Sequence, residues 1–461
     1  MAQLVAERDS PRVTTATASD RFGSRLIASA RPYALLIGIV VVGFALRLFW
    51  VLLVDSPSPA GQITLGDQYS YYYYGREMAE GRGYVSYTTG QPTAYYPVGY
   101  PAILAVLFWF VAHTPFPDDY LLAAQLLNVV VSTAVVVFGY LIARRLFGPL
   151  AGLVAAGVIA VFPNLVFQVG SLQLETMFMF SCMAALCVLV LHDWTSGAPS
   201  TRRLVLFGAV LGVSVLVRPF SLWFIAAVFV AALVARLGWR RALVTAAIPL
   251  GIVVAMSVPW TIRNAVQLGA FVPTSTNTGD TLCLDRSEDA TGGFRWADHE
   301  GCADPSLGEL QRNSESTRKA ISFVIEHPGR ELVQIWRRTQ LIFASDHDGI
   351  EASNLIGQGQ VVSGSTEQKL SDGADRYFYV VTALAAAGVV IAAVRAQPHR
   401  RPESVFVLVA FASLVTVPML LWGSPRFHLP FSPLLAVFAA GAVGGGVDWF
   451  GRRRRERHLA T

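Results

Sequence analysis

Residues 66–101, GDQYSYYYYGREMAEGRGYVSYTTGQPTAYYPVGYP, form a polar, aromatic and glycine-punctuated stretch directly after the first strongly apolar segment of the chain. Helix-forming residues continue from Tyr69 to Arg82, and Gly81 and Gly83 end that pattern. Asp67 is therefore expected at or just before a helix N-terminus. It is either an N-cap carboxylate or a functional acid, and the stretch alone leaves both interpretations open.

The rest of the chain is mostly apolar. It has 461 residues, 53% of them hydrophobic, and a mean hydropathy of +0.48, which excludes an ordinary soluble enzyme. The sequence predicts an all-α polytopic membrane protein, because segments of about 20 apolar residues cross a bilayer. About ten such segments occur, near Pro32–Val54, Tyr120–Ala143, Leu150–Gly170, Thr176–Leu191, Leu204–Val217, Phe220–Ala235, Ala242–Val258, Tyr377–Val394, Val405–Leu421 and Phe431–Val447.

Arginines mark alternate ends of these segments and predict the orientation of the chain. With an even number of spans, the following all fall on one side: the N-terminal arginines, Arg144, Arg145, Arg202, Arg203, Arg236, Arg240, Arg241, Arg395, Arg400, Arg401 and the run 452–457. Both termini are then cytoplasmic, in a plasma membrane: a tail 1–31 and a basic tail 449–461, flanking membrane regions 32–258 and 377–448. No cleavage site follows the first apolar run, so we expect a retained anchor.

The apolar run Val98–His113 is too short to cross, and prolines bound it at both ends. Counting it as a span would move Arg144 and Arg145 to the outside, so we expect a helix that lies along or dips into the outer face. The long polar segments 55–119 and 259–376 are then both extracytoplasmic. The chemistry is expected on that face.

Net charge and cysteine content add two expectations. The net charge of +5 and the basic tail after the last span indicate a cytoplasmic anchor beside anionic lipid headgroups, and not a nucleic-acid partner. Cys182 and Cys187 lie within a span and are expected to be buried and apolar. Cys283 and Cys302 share an outer segment and are either a disulfide or two free thiols.

Five charged residues lie at the predicted outer ends of spans: Asp67, Glu175, Arg218, Arg263 and Arg426, with the polar neighbours Asn264 and His428. Each has a simple structural explanation, since an acid complements a helix N-terminus and an arginine snorkels to the membrane interface. Together they place two carboxylates and three guanidinium groups on one face of the bundle. That combination suits a phosphate-bearing substrate, because arginine binds phosphate oxygens in a bidentate fork.

Several motifs occur in a characteristic order: Asp67, EMAEGRGY ending at Tyr84, PTAYYPVGYP from Pro92, PWTIRN ending at Asn264 with VPTSTNTGD after it, and GSPRFHLPFSP around Arg426. In this order they resemble the polytopic glycosyltransferases of the C-type fold. Within these, the chain is similar to the branch that groups the protein O-mannosyltransferases with the lipid A aminoarabinose transferase. The resemblance extends from Pro32 to Val447.

The resemblance implies a sugar donor on polyprenyl phosphate, an extracytoplasmic acceptor (glycan, lipid or protein) and transfer with inversion. It implies Asp67 as general base and Glu175 as a second catalytic acid. Donor phosphate would be bound by Arg263, Arg426 and Arg218, in that order of preference. Glu175 is a single acid and not part of an Asp-x-Asp pair, so we predict no firmly held divalent metal and no other cofactor. Gln68 stands where the protein mannosyltransferases have an acid, which weakens the case for a protein acceptor.

The tyrosines of the opening stretch have two interpretations: anchors at the membrane interface, or rings that stack on a sugar. We take Tyr69 and Tyr96, with Asn264 and His428, as candidate substrate-binding residues. Helical spacing places Tyr69, Tyr72 and Tyr73 on one face.

In the second outer segment, Ser316–Ile342 predicts an amphipathic helix with its apolar side toward either the bilayer surface or the bundle. The loops 280–305 and 354–369 are expected to be mobile and either to cover the cavity or to contact the acceptor.

Two other function classes fit the composition. A transporter of lipid-linked sugars would also use outer arginines, but it is expected to show charged residues or broken helices inside the membrane and an inverted repeat, and the sequence shows neither. A non-catalytic scaffold of an envelope-assembly complex would not need an acid beside an arginine-rich mouth.

Overall fold

The computed structural model describes residues 18–54, 66–115, 119–287, 289–295, 301–302, 304, 306–356, 361–394 and 401–444. Residues 1–17 of the predicted N-terminal tail and the basic tail 449–461 lie outside these ranges. Within them the chain is helical, and its β-structure consists of two isolated bridges, Val85 with Pro92 and Gly293 with Gly423.

The helices are α1 Ala18–Val54, α2 Asp67–Ala79, α3 Gly99–Val111, α4 Tyr120–Phe147, α5 Pro149–Ala160, α6 Pro163–Phe167, α7 Glu175–Val190, α8 Thr201–Val217, α9 Phe224–Val234, α10 Trp239–Leu268, α11 Thr278–Cys283, α12 Glu309–Glu326, α13 Pro328–Ile342, α14 Asp348–Asn354, α15 Gly364–Val394, α16 Arg401–Met419 and α17 Pro425–Gly444. Short 3₁₀ turns precede α9 (Pro219–Trp223), follow α6 (Gln168–Gly170) and begin α17 (Pro425–Phe431).

The chain is a multi-pass membrane protein. Among the described residues, six helices are long and apolar enough to cross a bilayer: the part of α1 from Tyr33, and α4, α10, α15, α16 and α17. A seventh span is obtained if α5 and α6 count as one. The predicted number of about ten is not confirmed, because α7 and the segment Pro219–Val234 have only 16 residues each and fall short of a comfortable crossing.

The predicted span Leu150–Gly170 is broken, and α5 and α6 meet at an angle of 57°. Arg47 of α1, which is fully buried, donates hydrogen bonds to the carbonyls of Ile159 and Ala160 at this break, at 3.1 and 2.9 Å. The carbonyls at a helix end have no hydrogen-bond donor within the helix, and here the Arg47 guanidinium is the donor. The expectation that the spans hold no charged residue and no broken helix was therefore wrong. The buried Arg47 and the break between α5 and α6 explain each other, because the guanidinium and the free carbonyls are hydrogen-bond partners.

The predicted span from Pro32 agrees with the candidate span from Tyr33, although α1 itself begins at Ala18. The predicted end of another span, at Val258, moves. Helix α10 continues through Pro259 to Leu268 before Gly269 ends it with a positive φ of 70°. The helix therefore continues about two and a half turns beyond Pro259, the residue at which the outer segment was expected to begin. Residues Val98–His113 contain the short helix α3, which packs against α2.

The contact between α2 and α3 fixes the position of the opening stretch. Leu104 and Phe108 of α3 are fully buried. Gly75 of α2 faces them so closely that a Cβ there would lie 2.8 Å from the Cβ of Leu104. The first residue of α2 is thereby held at one end of the bundle, where α7 also begins and α8 ends.

Of the two alternatives predicted for the outer cysteines, the structure contains the disulfide. Cys283 and Cys302 form a disulfide across the second outer segment. Cys182 and Cys187 are buried free thiols, as expected for residues within the bundle.

Candidate active site

Asp67 is the first residue of α2, and its carboxylate is engaged with other parts of the chain. The N-cap position belongs to Gly66, whose φ is 128°, and no side chain caps the helix. The Tyr96 hydroxyl donates a hydrogen bond to Asp67 Oδ1 at 2.7 Å, and the Arg426 guanidinium donates to Oδ2 at 2.8 Å. The interpretation of Asp67 as only an N-cap carboxylate is therefore wrong.

Gln68 fastens this end of α2 to two other elements. Its side-chain oxygen accepts a hydrogen bond from the Leu172 N–H at 2.8 Å, and its amide group donates to the Ala352 carbonyl at 3.0 Å. Both halves of the amide are used, and the side chain is buried. A carboxylate at this position has no proton to donate to Ala352, which gives a structural reason for glutamine here.

Two further charged residues extend the site behind Asp67. Glu175 begins α7 and is 1% exposed, and Arg218 follows the end of α8 in extended conformation. Arg218 donates to Glu175 Oε1 at 3.0 Å, and Arg426 Nε lies 4.0 Å from the same oxygen. Carboxylates and guanidinium groups therefore alternate in the order Asp67, Arg426, Glu175, Arg218. We call these four residues the ionic cluster.

Aromatic rings surround the cationic part of the ionic cluster. The Arg218 guanidinium lies 5.2 Å from the ring of Phe220 and 5.3 Å from that of Phe427. The Arg426 guanidinium lies 5.4 Å from Trp422 and 5.6 Å from Phe427. Rings at this distance attract the cations through their quadrupoles and exclude water, so the charges act in a less polar medium.

The ionic cluster is open on one side only. The Asp67 and Arg426 side chains are 27% and 23% exposed, whereas Glu175 is 2% exposed. Burial raises the pKa of Asp67, but the charge of Arg426 and the hydrogen bonds from Tyr96 and Arg426 outweigh it, so the pKa lies below its ordinary value. Asp67 is therefore ionised near neutral pH. Arg426 Nε is buried on the Glu175 side of the cluster and makes no hydrogen bond within the described part of the chain.

Arg263 and Asn264, predicted to bind donor phosphate and substrate, lie apart from the ionic cluster. The Arg263 guanidinium donates to the carbonyls of Tyr84 and Thr93, at 2.6 Å each, and lies 4.9 Å from the ring of Trp260. Asn264 is fully buried and donates to the Val272 carbonyl at 2.8 Å. Arg263 therefore binds the loop after α2 to α10, because α10 extends past Pro259 and carries it to that loop, whereas Asn264 binds the segment that follows α10.

His428 is fully buried and not open to a substrate. Its Nε2 lies 2.6 Å from Asp346 Oδ1 and its Nδ1 2.7 Å from the Ile342 carbonyl oxygen, and its ring stacks on Phe378. The prediction that His428 binds substrate finds no support in this geometry. Asn164 donates to the same Asp346 oxygen at 2.9 Å, so His428 belongs to a buried network behind the site.

The predicted aromatic face is only partly correct. Tyr69 and Tyr73 stack at a centroid distance of 6.1 Å, and both contact Tyr87 edge-on. Tyr72 is instead buried on the side of α2 that faces α3, with its ring centroid 5.5 Å from that of Phe108. Tyr96 contacts the ionic cluster through Asp67, whereas within the described residues no hydrogen bond joins Tyr69 to the cluster; substrate binding by either tyrosine stays a prediction.

Several polar residues near the site were not predicted. Glu309 of α12 accepts hydrogen bonds from Thr93, from the Ala94 N–H and from Thr276, and so holds the loop that presents Tyr96. Asp280 accepts a hydrogen bond from Tyr95 at 3.0 Å, which parallels the pair of Tyr96 and Asp67. The sequence carries no signal for these pairings, since the partners are far apart along the chain.

Two acids lie close to the buried histidine, Asp346 and Asp348. Burial raises the pKa of Asp346, and it raises the pKa of Asp348 to about 6. One carboxylate oxygen of each is buried and makes no hydrogen bond within the described residues. No group of three or more His, Cys, Asp or Glu in the described ranges is arranged to hold a metal ion.

Comparison with known proteins identifies the architecture. Residues 101–262 match the family model described as dolichyl-phosphate-mannose-protein mannosyltransferase. The oligosaccharyltransferase AglB of Archaeoglobus fulgidus, solved with an inhibitory peptide and a dolichol-phosphate, aligns over 94% of this chain and 52% of its own, with a TM-score of 0.52 and 16% identity. The chain has the C-type glycosyltransferase fold.

A second structure of the Archaeoglobus fulgidus oligosaccharyltransferase, tethered to an acceptor peptide containing the NVT sequon, aligns over 92% of this chain and 50% of its own, with a TM-score of 0.51 and 14% identity. ArnT from Cupriavidus metallidurans, bound to undecaprenyl phosphate, aligns over 88% of this chain and 78% of its own at 15% identity, but its TM-score of 0.41 is too low to establish a shared fold. The chain thus spans about half the length of the archaeal enzyme. No curated protein matches it.

The C-type fold and the family match cover the ionic cluster to different extents. Glu175 and Arg218 lie inside the matched residues 101–262, and Asp67 and Arg426 lie outside them. The alignment to the archaeal oligosaccharyltransferase covers nearly the whole chain. The cluster is therefore assembled from the matched central region and from the two flanking parts of the fold.

Proposed function

We propose that this protein is a membrane glycosyltransferase that moves a sugar from a polyprenyl-phosphate donor to a hydroxyl group of an extracytoplasmic acceptor, with inversion. The observation that carries the proposal is the ionic cluster, in which an ionised, partly exposed carboxylate lies 2.8 Å from a partly exposed arginine. Such a pair suits a reaction in which the carboxylate removes a proton from one reactant while the guanidinium stabilises an anion that departs from the other. The C-type fold and the central family match are consistent with it.

In the proposed reaction the acceptor oxygen forms a bond to the anomeric carbon while the bond from that carbon to the phosphate oxygen breaks. The proton of the acceptor hydroxyl passes to Asp67, and the electron pair of the broken bond leaves with polyprenyl phosphate. Attack from the face opposite the leaving group inverts the anomeric centre. Tyr96, which donates to the other carboxylate oxygen, holds Asp67 in position for this step.

Arg426 and Arg218 are the proposed ligands of the donor phosphate. Both guanidinium groups lie against the ring of Phe427, and the Arg426 side chain is partly exposed. Glu175 lies between the two guanidinium groups and keeps them together against their mutual repulsion. When a phosphate enters, it competes with Asp67 for Arg426. The carboxylate then loses part of its stabilisation and becomes a stronger base once the donor is bound.

The orientation of the protein is proposed from the same arrangement. Helix α7 begins and α8 ends at the ionic cluster, whereas Arg144 and Arg145 end α4 at the opposite end of the bundle. There Arg145 pairs with Glu403 at the start of α16, at 2.6 Å. An excess of arginine marks the cytoplasmic side, so the site is extracytoplasmic and both termini are cytoplasmic, in a plasma membrane.

The test is transfer of radiolabelled sugar from a panel of polyprenyl-phosphate sugars into membrane extracts, with the wild-type protein and Asp67→Asn in nanodiscs. The proposal expects transfer by the wild type from at least one donor and its loss in the variant, with donor binding retained. Asp280→Asn is the matched control, because Asp280 accepts a hydrogen bond from Tyr95 as Asp67 does from Tyr96. If the wild type binds donors and moves them across the bilayer without transfer, the protein is a transporter.

A further inference from the structure

Helix α13 has its polar side turned inward. Glu331, Gln334 and Arg338 are buried, the last two completely. Arg338 pairs with Asp285 at 2.7 Å and with Glu331 at 2.7 Å, and Gln334 donates to the Ala290 carbonyl at 2.9 Å. The contacts of α13 with the rest of the protein are thus largely ionic, the reverse of a helix that packs its apolar face on a core.

The outward side of α13 is apolar. Leu332 is 70% exposed, Trp336 63% and Val333 50%. Leu332 and Trp336 are four residues apart and therefore form one line along the helix. Arg330 and Arg337 border this surface: the Arg337 guanidinium donates to the Ala290 carbonyl at 3.1 Å, and that of Arg330 lies 5.9 Å from the ring of Phe323. The end of α12 continues it through Ile321 and Ile325, which are 53% and 72% exposed. We call this the outward apolar face.

Contacts with α16 place the buried side of α13 at the end of a candidate span. Helix α16 is one of the candidate spans and ends at Met419. Arg338 donates to the Met419 carbonyl at 3.3 Å, and Arg286, which pairs with Glu331, donates to the Leu420 carbonyl at 2.8 Å. Leu420 itself is 51% exposed. Helix α13 therefore packs through its buried ionic side on the end of a candidate span, and its outward apolar face points away from that contact.

We propose that α13 and the last turn of α12 lie in the plane of the membrane, with the outward apolar face immersed in the acyl chains of the bilayer. The sequence pattern left open whether this face turns to the bundle or to the bilayer, and the buried ionic side of α13 excludes the bundle. Side chains this apolar and exposed are unfavourable in water, and a bilayer surface accepts them together with bordering arginines. The inference concerns a lipid-binding surface and does not depend on the proposed reaction.

The test uses a fluorescent thiol label at Trp336→Cys in nanodiscs that hold one copy each. The variant has one reactive thiol, because all four native cysteines are buried or bonded to each other. Lipids with a nitroxide on the acyl chain are expected to quench the label, and aqueous iodide is expected to lose most of its quenching. Lys319→Cys, at a 46% exposed position of α12, is the control and is expected to behave in the opposite way.

The proposal is overturned if iodide quenches the label at 336 as strongly as at 319 and the lipid nitroxide does not quench it. It is also overturned if both quenchers fail, because the face is then covered by protein. Trp336 is mostly exposed, so its removal leaves no internal cavity. Leu332→Cys provides a second position on the same line of the helix and must give the same result.

Discussion

Replacing Asp67 with asparagine removes the negative charge from the open side of the site and leaves its shape. The amide has the size of the carboxylate, and the Tyr96 hydroxyl at 2.7 Å can donate to its oxygen or accept from its nitrogen. Helix α2 remains held by Gln68 and by its contact with α3. The substitution therefore tests proton acceptance with little disturbance of the fold.

The expected loss follows from the role assigned to Asp67. A positioned general base contributes about 10²–10⁴-fold to a rate, which is about 3–5 kcal/mol of activation free energy. We expect kcat to fall by that factor. The wild-type kcat/KM is expected to stay level down to about pH 5 and to fall only below the ordinary pKa of aspartate, about 4, because the pKa of Asp67 is lowered in the protein without donor and the carboxylate stays ionised above it.

Donor binding is expected to change in the opposite direction. In the wild type Arg426 donates to Asp67 at 2.8 Å, and this hydrogen bond competes with the phosphate. A hydrogen bond to a charged partner is worth about 1.5–3 kcal/mol, and the phosphate recovers only part of it. We expect donor affinity in Asp67→Asn to be unchanged or up to about tenfold higher, whereas a merely structural defect would weaken it.

The assay separates the two quantities by combining single-turnover transfer with direct measurement of donor binding in nanodiscs. Asp280→Asn serves as the control and is expected to keep kcat within about threefold of the wild type, since its carboxylate is buried and pairs with Tyr95, Ser316 and Arg312, none of which belongs to the ionic cluster. The reasoning is refuted if Asp67→Asn retains wild-type kcat. It is refuted equally if donor affinity and kcat fall together by the same factor.

Three further outcomes are expected. Arg426→Lys keeps the charge but loses the guanidinium fork, so the dissociation constant of the donor should rise about 10–100-fold; an unchanged constant in a binding assay would assign the phosphate to Arg218. The pKa of Asp348 is raised to about 6, so stability present at low pH is lost as pH rises through that value. Asp348→Asn should therefore increase the free energy of unfolding by about 1–2 kcal/mol near neutral pH and not below pH about 4, and an equal change at both pH values in denaturant titrations would contradict this. Replacing Cys283 and Cys302 by serine opens a loop with a sequence separation of 19 and should cost about 3 kcal/mol, a loss that reducing agent reproduces in the wild type but not in the variant.

Some of the site residues predicted from the sequence are in the ionic cluster and others are not, and the difference follows from how well hydropathy locates the ends of the spans. Asp67, Glu175, Arg218 and Arg426 each follow or precede an apolar segment at the same end, and the alternation of spans brings those ends together. That grouping depends on topology, which hydropathy reveals. Arg263 occupies an equivalent position by the same criterion, but α10 continues beyond the predicted boundary and turns it toward backbone carbonyls instead.

The sequence did not predict hydrogen bonds between residues that are far apart in the chain. His428 and Asp346 are 82 residues apart, and Glu309 and Thr93 are 216 apart, yet each pair is in direct contact. Short-range periodicity contains no record of such pairings. The broken span at Ile159 was missed for the same reason, since only the approach of Arg47 supplies the partners that its helix end needs.

The sequence by itself determined that this protein is a helical membrane protein. It also predicted that the polar aromatic stretch lies at the same end of the spans as Arg218 and Arg426. Apolar length and charge bias suffice for that, because the bilayer imposes them on each segment separately. The tertiary structure alone decided which arginine meets Asp67 and which side of α13 faces outward. Those outcomes depend on contacts between segments far apart in the chain, where burial of a charge is tolerated only beside a partner that the fold delivers.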